Sequence, residues 1–99
     1  MENLKELEKK SEDIAHILKL LAHPKRFLLL CKLREWTKTV WDLEKYCTIG
    51  QSQLSQFLSK MKDEWILSCE KNGQFVSYSI ANPKILELMN QIQSIFCKK

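Results

Sequence analysis

The stretch that decides the fold is Gly50–Lys62, which reads GQSQLSQFLSKMK. Its apolar residues recur at helical spacing and form one stripe made of Leu54, Phe57, Leu58 and Met61. The remaining positions are crowded with serine, glutamine and lysine, whose hydroxyls and amides can donate to phosphate oxygens and pair with base edges. We therefore interpret this stretch as a helix that contacts a polar partner, with DNA as the first candidate. The side chains expected to choose the site are Gln51, Ser52, Gln53, Ser55, Gln56 and Lys60.

The residues before this helix predict a second, shorter helix. Thr39 followed by Asp42 resembles a capping box, and the apolar side is supplied by Val40, Leu43 and Tyr46. Cys47 to Ile49 leaves room only for a tight connection, after which Gly50 can serve as the next N-cap. Two short helices joined by such a turn form a helix-turn-helix, whose second helix enters the major groove of DNA.

The residues after Glu64 change to a period of two, which predicts strands. Alternating apolar positions are Leu67, Cys69, Val76, Tyr78 and Ile80. Asn72-Gly73 between them is the two-residue signal for a type I′ hairpin. A hairpin directly after a helix-turn-helix is a candidate wing, in which Lys71 and Gln74 would contact phosphate. The alternative is that Asn72-Gly73 serves as turn chemistry with no role in binding.

Three further helices are predicted at the two ends of the chain. The first covers roughly residues 2 to 21 and carries a narrow seam made of Leu4, Leu7, Ser11, Ile14, Leu18 and Leu21. We favour packing of this seam within one chain, with a seam between subunits as the alternative. A second helix, about 24 to 34, begins at Pro24 and should be central and buried. The last helix begins at Asn82-Pro83, with an apolar face formed by Ile85, Leu88, Met89, Ile92, Ile95 and Phe96.

Length and composition fit this fold, a winged helix-turn-helix that is mainly α with a small β-hairpin, in the order helix, helix, helix, helix, hairpin, helix. Ninety-nine residues suit one domain, 1–99, with a core so small that a homodimer is plausible. The net charge of +4 is a modest indication of nucleic acid. The sequence contains no long apolar run and no signal-peptide pattern, so we expect a cytoplasmic protein without membrane contact. Its four cysteines form no C-x-x-C pair.

Four segments of the chain resemble the ArsR/SmtB family of winged-helix repressors: LAHPKR before helix 2, TVWDLEKY, IGQSQLSQFLSKMKDE, and SYSIANP after the hairpin. The resemblance covers nearly the whole chain from about Ile14. It implies a dimeric repressor that binds double-stranded operator DNA, with helices 1 and 5 forming the dimer contact. The chain departs from the family pattern where Gly50 replaces a serine, Phe57 stands where histidine is common, and Trp65 stands where glycine is usual.

The metal sites of the family are absent from this sequence. Where many members carry a C-V-C-D-L motif on helix 3, this chain has Thr39 to Leu43, reading TVWDL. A second family site uses Asp and His on the last helix, yet residues 83 to 99 contain neither. We therefore expect no metal and no other cofactor.

Two cysteines match the thiol-sensing, BigR/SqrR/HlyU-like subgroup of the family: Cys31 in LLLCKL on helix 2 and Cys97 in SIFCKK near the chain end. The resemblance implies that the last helix packs on helix 2 and brings these thiols close enough for a disulfide or a polysulfide bridge. Reactive sulfur species or an oxidant would be the effector, and bridging would lower operator affinity. Lys98 and Lys99 favour ionisation of Cys97, so we expect Cys97 to attack first and the more buried Cys31 to resolve.

Other interpretations remain open. The chain could be a DNA-binding regulator with non-sensing cysteines or with a metal or small-molecule effector, or a protein interaction module without DNA binding. An enzyme is not expected, because no histidine or acid is placed by sequence to serve a cysteine. We expect Cys47 and Cys69 to be structural, and the three tryptophans, Trp36, Trp41 and Trp65, to be core and cap residues.

Overall fold

A computed structural model describes residues 3–35 and 38–97 of the chain. The elements follow the order α1 (Leu4–Leu21), α2 (Pro24–Glu35), β1 (Lys38–Thr39), α3 (Val40–Cys47), α4 (Gln51–Asp63), β2 (Leu67–Asn72), β3 (Phe75–Ile80) and α5 (Pro83–Phe96). The predicted winged helix-turn-helix class is confirmed. Glu2, Trp36, Lys98 and Lys99, on which some of the predictions rest, lie outside the described residues.

Helix α2 forms the centre of the core, as its sequence predicts. Its Leu29, Leu30 and Leu33 are almost completely buried. The apolar faces of the surrounding elements close over them, and the fully buried side chains there include Leu43, Leu54, Leu58, Met61, Ile85 and Met89. All six of these residues come from α3, α4 and α5, so the core fixes the helix-turn-helix and the last helix against α2.

The sheet has one strand more than the sequence predicts. The short strand β1 pairs antiparallel with β3, so that Lys38 lies opposite Tyr78, and the sheet order is β1-β3-β2. Two residues carry no periodicity, and for this reason the pattern could not reveal them. Because β1 leads directly into α3, the extra strand joins the wing to the first turn of the helix-turn-helix.

The hairpin turns one residue later than predicted. Asn72 pairs with Phe75, so that Gly73 and Gln74 occupy the turn. Among the described residues of the hairpin, only Gly73 has a positive φ, at 66°. A positive φ at the first central residue alone is the type II′ pattern, and the predicted type I′ turn at Asn72-Gly73 is therefore wrong.

The helix-turn-helix is built by local capping. The Asp42 amide donates to the Thr39 hydroxyl while the Thr39 amide donates to the Asp42 carboxylate, which confirms the capping box. Helix α3 ends at Thr48, which adopts the left-handed conformation with φ 47°. Lys25 Nζ donates to the Thr48 carbonyl oxygen over 3.2 Å, and so ties this turn to α2. Gly50 then begins α4, as predicted, although no side chain caps that end.

The exit of α4 is a Schellman motif with a tryptophan in the glycine position. The Ile66 amide donates to the Met61 carbonyl over 2.9 Å, and the Trp65 amide donates to the Lys62 carbonyl over 3.0 Å. Trp65 itself has φ 63°, a left-handed conformation that bulky residues rarely adopt. The family pattern with glycine here therefore reflects backbone geometry that this chain keeps without glycine.

Several apolar side chains that the sequence places in the interior are exposed. On α1, Leu4, Leu7, Ile14 and Leu18 are 42–69% exposed, so the favoured packing within one chain is wrong for these four residues, whereas Leu21 at the end of the seam is buried in the core. Trp41 and Trp65 are also exposed, at 66% and 83%, so neither is a core residue, although Trp65 does lie in the C-terminal cap of α4. In each case the apolar pattern is correct, but residues 3–35 and 38–97 offer no surface that covers these side chains.

Within the described ranges, the helices are all too short or too polar to cross a membrane.

Candidate functional site

The outer face of α4 presents the predicted DNA-contacting side chains. All six are exposed on the helix: Gln51, Ser52, Gln53, Ser55, Gln56 and Lys60. The opposite face is held in the core by Leu54, Leu58 and Met61. An exposed polar helix anchored this firmly can enter a groove without distorting the domain.

The wing and the start of α4 share one open groove of about 710 Å³. Gln51 from α4 and Gln74 from the hairpin turn both line it, so two residues predicted separately from sequence lie on one surface. Trp41 and Phe75 line the same groove and are 66% and 63% exposed. Sequence analysis missed these two aromatic residues as site candidates, because their positions resemble ordinary core positions of α3 and of a strand.

The two lysines predicted to contact phosphate, Lys60 and Lys71, lie on α4 and on β2. Lys71 is exposed near the tip of β2, where it pairs with Val76. Lys60 is exposed in the last turns of α4, with its Nζ 3.9 Å from Oε2 of Glu64. The Lys60 side chain is 54% exposed and that of Glu64 only 24%, so the Lys60 ammonium stays accessible to a phosphate while the carboxylate is largely covered.

The candidate thiol pair lies on the other side of the core, where α5 packs on α2. Cys31 is half-buried on α2, and Cys97 is exposed at the C-cap of α5. Gln93 lies between them: its Nε2 donates to Cys31 Sγ over 3.0 Å, and its carbonyl accepts from the Cys97 amide over 2.9 Å. A second contact between α2 and α5 is formed by Arg34 Nη1 and Asn90 Oδ1, 3.0 Å apart.

The two thiols differ in their electrostatic surroundings. Burial is the largest influence on the Cys31 thiol and raises its pKa, while the Gln93 hydrogen bond and nearby Arg34 act in the opposite direction. The charge of Cys97 is close enough to raise the pKa of Cys31 further. Gln93 thus links Cys31 to the end of α5 that holds Cys97, and sequence analysis missed it because a glutamine on an amphipathic helix carries no signal.

The other two cysteines have different surroundings. Cys47 is only 1% exposed in the core, and burial raises the pKa of its thiol. Cys69 lies directly across from Tyr78 on the neighbouring strand. In the part of the chain that the structure describes, no three His, Cys, Asp or Glu side chains gather as a metal site.

Apart from the exposed aromatic residues of α3, the α4 exit and the wing, the exposed large apolar side chains of the described residues lie on α1 and at the end of α5. Besides the four residues of the α1 seam, Ile95 and Phe96 are 61% and 78% exposed. Large apolar surfaces of this kind typically mark interaction sites. These are the two helices predicted to form the dimer contact.

Comparison with known proteins finds transcriptional regulators that are similar to this chain in both sequence and structure. The chain is 35% identical over 92 residues to the biofilm growth-associated repressor of Xylella fastidiosa, covering 93% of this chain and 81% of the relative. The crystal structure of the transcriptional repressor BigR from Xylella fastidiosa superimposes with a TM-score of 0.89 at 33% identity, covering 99% of this chain and 100% of that chain. Reduced HlyU from Vibrio cholerae also gives 0.89, at 26% identity, covering 96% and 100%. No protein-family model matches the sequence.

Proposed function

The chain belongs to the BigR/HlyU-like subgroup of the ArsR/SmtB-type winged-helix transcriptional regulators, and from that premise we propose that it is a homodimeric repressor whose operator affinity falls when Cys31 and Cys97 become bridged. The observation that carries the sensing role is the contact between α2 and α5, where Gln93 touches Cys31 and caps the turn that holds Cys97. The redox step, the dimer and the residue roles are parts of this proposal.

The exposed face of α4 enters the major groove of double-stranded operator DNA. Gln51, Gln53 and Gln56 offer amides that can pair with adenine edges, while Lys60 and Lys71 contact phosphates. Ser52 and Ser55 donate to phosphate or base, and Gln74 at the wing tip completes the surface around the groove that it shares with Gln51. A dimer would place two such helices in half-sites about one turn of DNA apart.

The dimer contact is formed by the uncovered faces of α1 and α5. Leu4, Leu7, Ile14 and Leu18 supply the stripe on α1, and Ile95 and Phe96 extend the apolar surface from the end of α5. Association of two copies would remove these side chains from water, which is favourable by roughly 25 cal/mol per Å² of apolar surface. The sensing thiol Cys97 directly follows Phe96, so a displacement of Cys97 would also move a residue of the proposed dimer contact.

Sulfur transfer can bridge the thiols in two balanced steps. The Cys97 thiolate attacks the outer sulfur of a low-molecular-weight persulfide, R–S–SH, which forms Cys97–S–SH and releases R–S⁻. The Cys31 thiolate then attacks the Cys97 sulfur, forming the Cys31–Cys97 disulfide and expelling HS⁻. The two thiols lose two electrons and the transferred sulfur is reduced to hydrosulfide. Cys97 acts first because it is exposed, whereas burial raises the pKa of Cys31.

Bridging would break the Gln93–Cys31 hydrogen bond and fix the end of α5 to α2. Because α5 belongs to the proposed dimer contact, the distance and tilt between the two recognition helices would change. A coupling of about 1 to 3 kcal/mol lowers operator affinity roughly 5- to 150-fold, which is enough to release a promoter.

The test measures operator affinity before and after persulfide treatment. A duplex selected by the reduced protein from a random library serves as the operator, and the variants are Cys31→Ser, Cys97→Ser and, as a matched control, Cys69→Ser. We expect the wild type and Cys69→Ser to lose affinity, both other variants to stay bound, and a peptide crosslinked between residues 31 and 97 to appear by mass spectrometry. If Cys31→Ser and Cys97→Ser respond as the wild type does, the switch is wrong. If the reduced wild type selects no duplex, the DNA-binding role is wrong.

A further inference from the structure

A second cationic site lies beside the recognition helix, at the junction of α1, α2 and α4. The site is a cavity of about 220 Å³ lined by His16, Lys19, Leu20, Arg26 and Lys60. Four of these five residues carry basic side chains, although they come from three different helices. From this arrangement we propose that the cavity, here called the junction site, binds a phosphate group of the DNA backbone outside the bases that α4 reads.

Arg26 supplies the first argument for a bound anion. Its Nε is buried and has no hydrogen-bond acceptor among the described residues. A buried donor without an acceptor is costly, and native proteins rarely leave one unless a ligand or water completes it. The guanidinium carbon lies 5.3 Å from the centre of the Phe57 ring, which holds the group in position from the α4 side. The Arg26 fork is therefore oriented in advance and has an unused donor.

The charges around the cavity supply the second argument. Lys19, Arg26 and Lys60 are cationic, and the nearby acid is Glu64, whose carboxylate contacts His16 and lies 3.9 Å from Lys60. The cavity lining that the structure describes contains no acid, and its three cations outnumber the Glu64 and Asp63 carboxylates that share a surface with Lys60, so the concave site carries an excess of positive charge. The Glu64 carboxylate also fixes His16 of α1 against the end of α4, and so shapes the wall of the cavity.

The position of Lys60 favours a phosphate of the DNA backbone as the group that the cavity binds. Lys60 also lines the shallow surface that runs along the outer side of α4, together with Ser55, Gln56 and Ser59, and with the carboxylates of Asp63 and Glu64 at the C-terminal end of the helix. The junction site therefore continues the face that is proposed to lie on DNA, and a strand leaving the major groove would pass it. This inference rests on the proposed DNA-binding function and extends its footprint to α1 and α2. A free phosphate ion has the same chemistry, and the test separates the two sources.

The experiment measures the salt dependence of binding to two duplexes of about 30 base pairs, one selected by the protein and one of mixed sequence. The variants are Lys19→Gln and Arg26→Gln, with Arg26→Lys retaining the charge. Lys9→Gln is the matched control, because Lys9 is an exposed lysine of the same helix that does not line the cavity, and the variant loses the same charge. Each phosphate contact that a variant loses reduces the magnitude of the slope of log Kobs against log salt by about 0.9.

We expect Lys19→Gln and Arg26→Gln to reduce the slope by about 0.9 each and to weaken both duplexes equally, since backbone contacts carry no sequence information. Arg26→Lys should retain most of the slope, and Lys9→Gln should match the wild type. Since Lys19 is exposed, its variant tests the site even where Arg26→Gln does not fold. Slopes that stay unchanged in Lys19→Gln and Arg26→Gln, while the wild type binds DNA normally, would overturn the junction site and leave the proposed function intact.

A second arm titrates inorganic phosphate into the DNA-free protein at constant ionic strength, followed by ³¹P line broadening. Absence of saturable binding supports the backbone assignment. Saturable binding that Arg26→Gln abolishes would assign the cavity to a free anion and overturn the backbone assignment. Failure of the wild type to bind either duplex would overturn both the proposed function and the inference built on it.

Discussion

Gln93 donates a hydrogen bond from Nε2 to the sulfur of Cys31 over 3.0 Å, from a position one helical turn before Cys97. The same residue accepts the Cys97 amide through its carbonyl. One glutamine therefore links the two thiols of the proposed switch, through its side chain and its backbone. Because an amide donor favours the charged form of a thiol, the contact opposes the effect of burial on the pKa of Cys31.

Replacing Gln93 by leucine should raise the pKa of Cys31 further, since the opposing hydrogen bond is lost. In a Cys97→Ser background, the pH midpoint for alkylation of Cys31 should move upward, and in the parent background the bridge should form more slowly at neutral pH. Gln91→Leu, an exposed glutamine on the same helix, is the control and should leave the midpoint in place. An unchanged midpoint in Gln93→Leu would show that the contact does not act on the thiol.

The buried thiol of Cys47 should make stability fall at alkaline pH. Its pKa is raised by burial above the unfolded value of about 8.5, so the folded state keeps the proton longer. The stabilisation is therefore complete below about pH 8.5 and is lost as pH rises toward the folded pKa. The free energy of unfolding, measured with urea under reducing conditions, should fall less steeply with rising pH in Cys47→Ala than in the wild type. If the free energy of unfolding falls equally steeply with pH in the two proteins, ionisation of Cys47 is not the cause of the loss.

Trp65→Gly should stabilise the domain. The position has φ 63°, and a left-handed residue with a Cβ costs about 1 kcal/mol relative to glycine. The side chain is 83% exposed, so little packing is lost. Thermal unfolding should shift upward by about 4–8 °C for this gain. Trp65→Ala removes the same indole but keeps the Cβ, and a rise equal to that of the glycine variant would assign the effect to the side chain instead.

Leu18→Glu should weaken the proposed dimer. Leu18 is 56% exposed on the α1 stripe, and a symmetric contact loses it twice. At about 2 kcal/mol per leucine, the dissociation constant of the dimer should rise more than about a hundredfold. Sedimentation equilibrium measures this directly. Lys9→Gln, which changes the charge by the same amount on the opposite side of the helix, should sediment as the wild type does. A single monomeric species in the wild type would refute the contact.

Gln56→Ala should reduce sequence preference rather than general affinity. An amide paired with a base edge contributes about 1–3 kcal/mol of discrimination, so binding to the selected duplex should fall roughly 5- to 150-fold. Binding to a mixed-sequence duplex should hardly change. Lys71→Gln is the contrasting variant, and we expect it to weaken both duplexes alike. An equal loss on both duplexes in Gln56→Ala would place that side chain on the backbone.

The parts of the fold that follow local rules could be predicted from the sequence. Thr39 and Asp42 cap α3, Gly50 begins α4, and Asn82 and Pro83 begin α5, because capping depends on residues within one turn. The wing turn was misplaced by one residue, since Gly73 can supply its positive φ at either central position of a tight turn.

Features that depend on distant partners could not be predicted in the same way. Whether Leu18 or Trp41 is covered depends on which surface meets it, and an apolar residue looks the same in either case. The roles of Gln93 and Arg26 come from side chains on other helices. The outer face of α4 was recognisable because its composition differs from that of an ordinary surface helix.

Strand β1 has a consequence for how the protein acquires its DNA-facing surface. Lys38 can pair with Tyr78 only after α3, α4 and β2 have been synthesised. Closing so long a stretch of chain carries an entropic cost that local helix formation does not, and non-local pairings of this kind slow folding. The helices and the β2–β3 hairpin can therefore form early, while the pairing of β1 with β3, which joins the wing to the start of α3, forms late. A nascent chain that ends before Phe75 lacks the strand on which both depend.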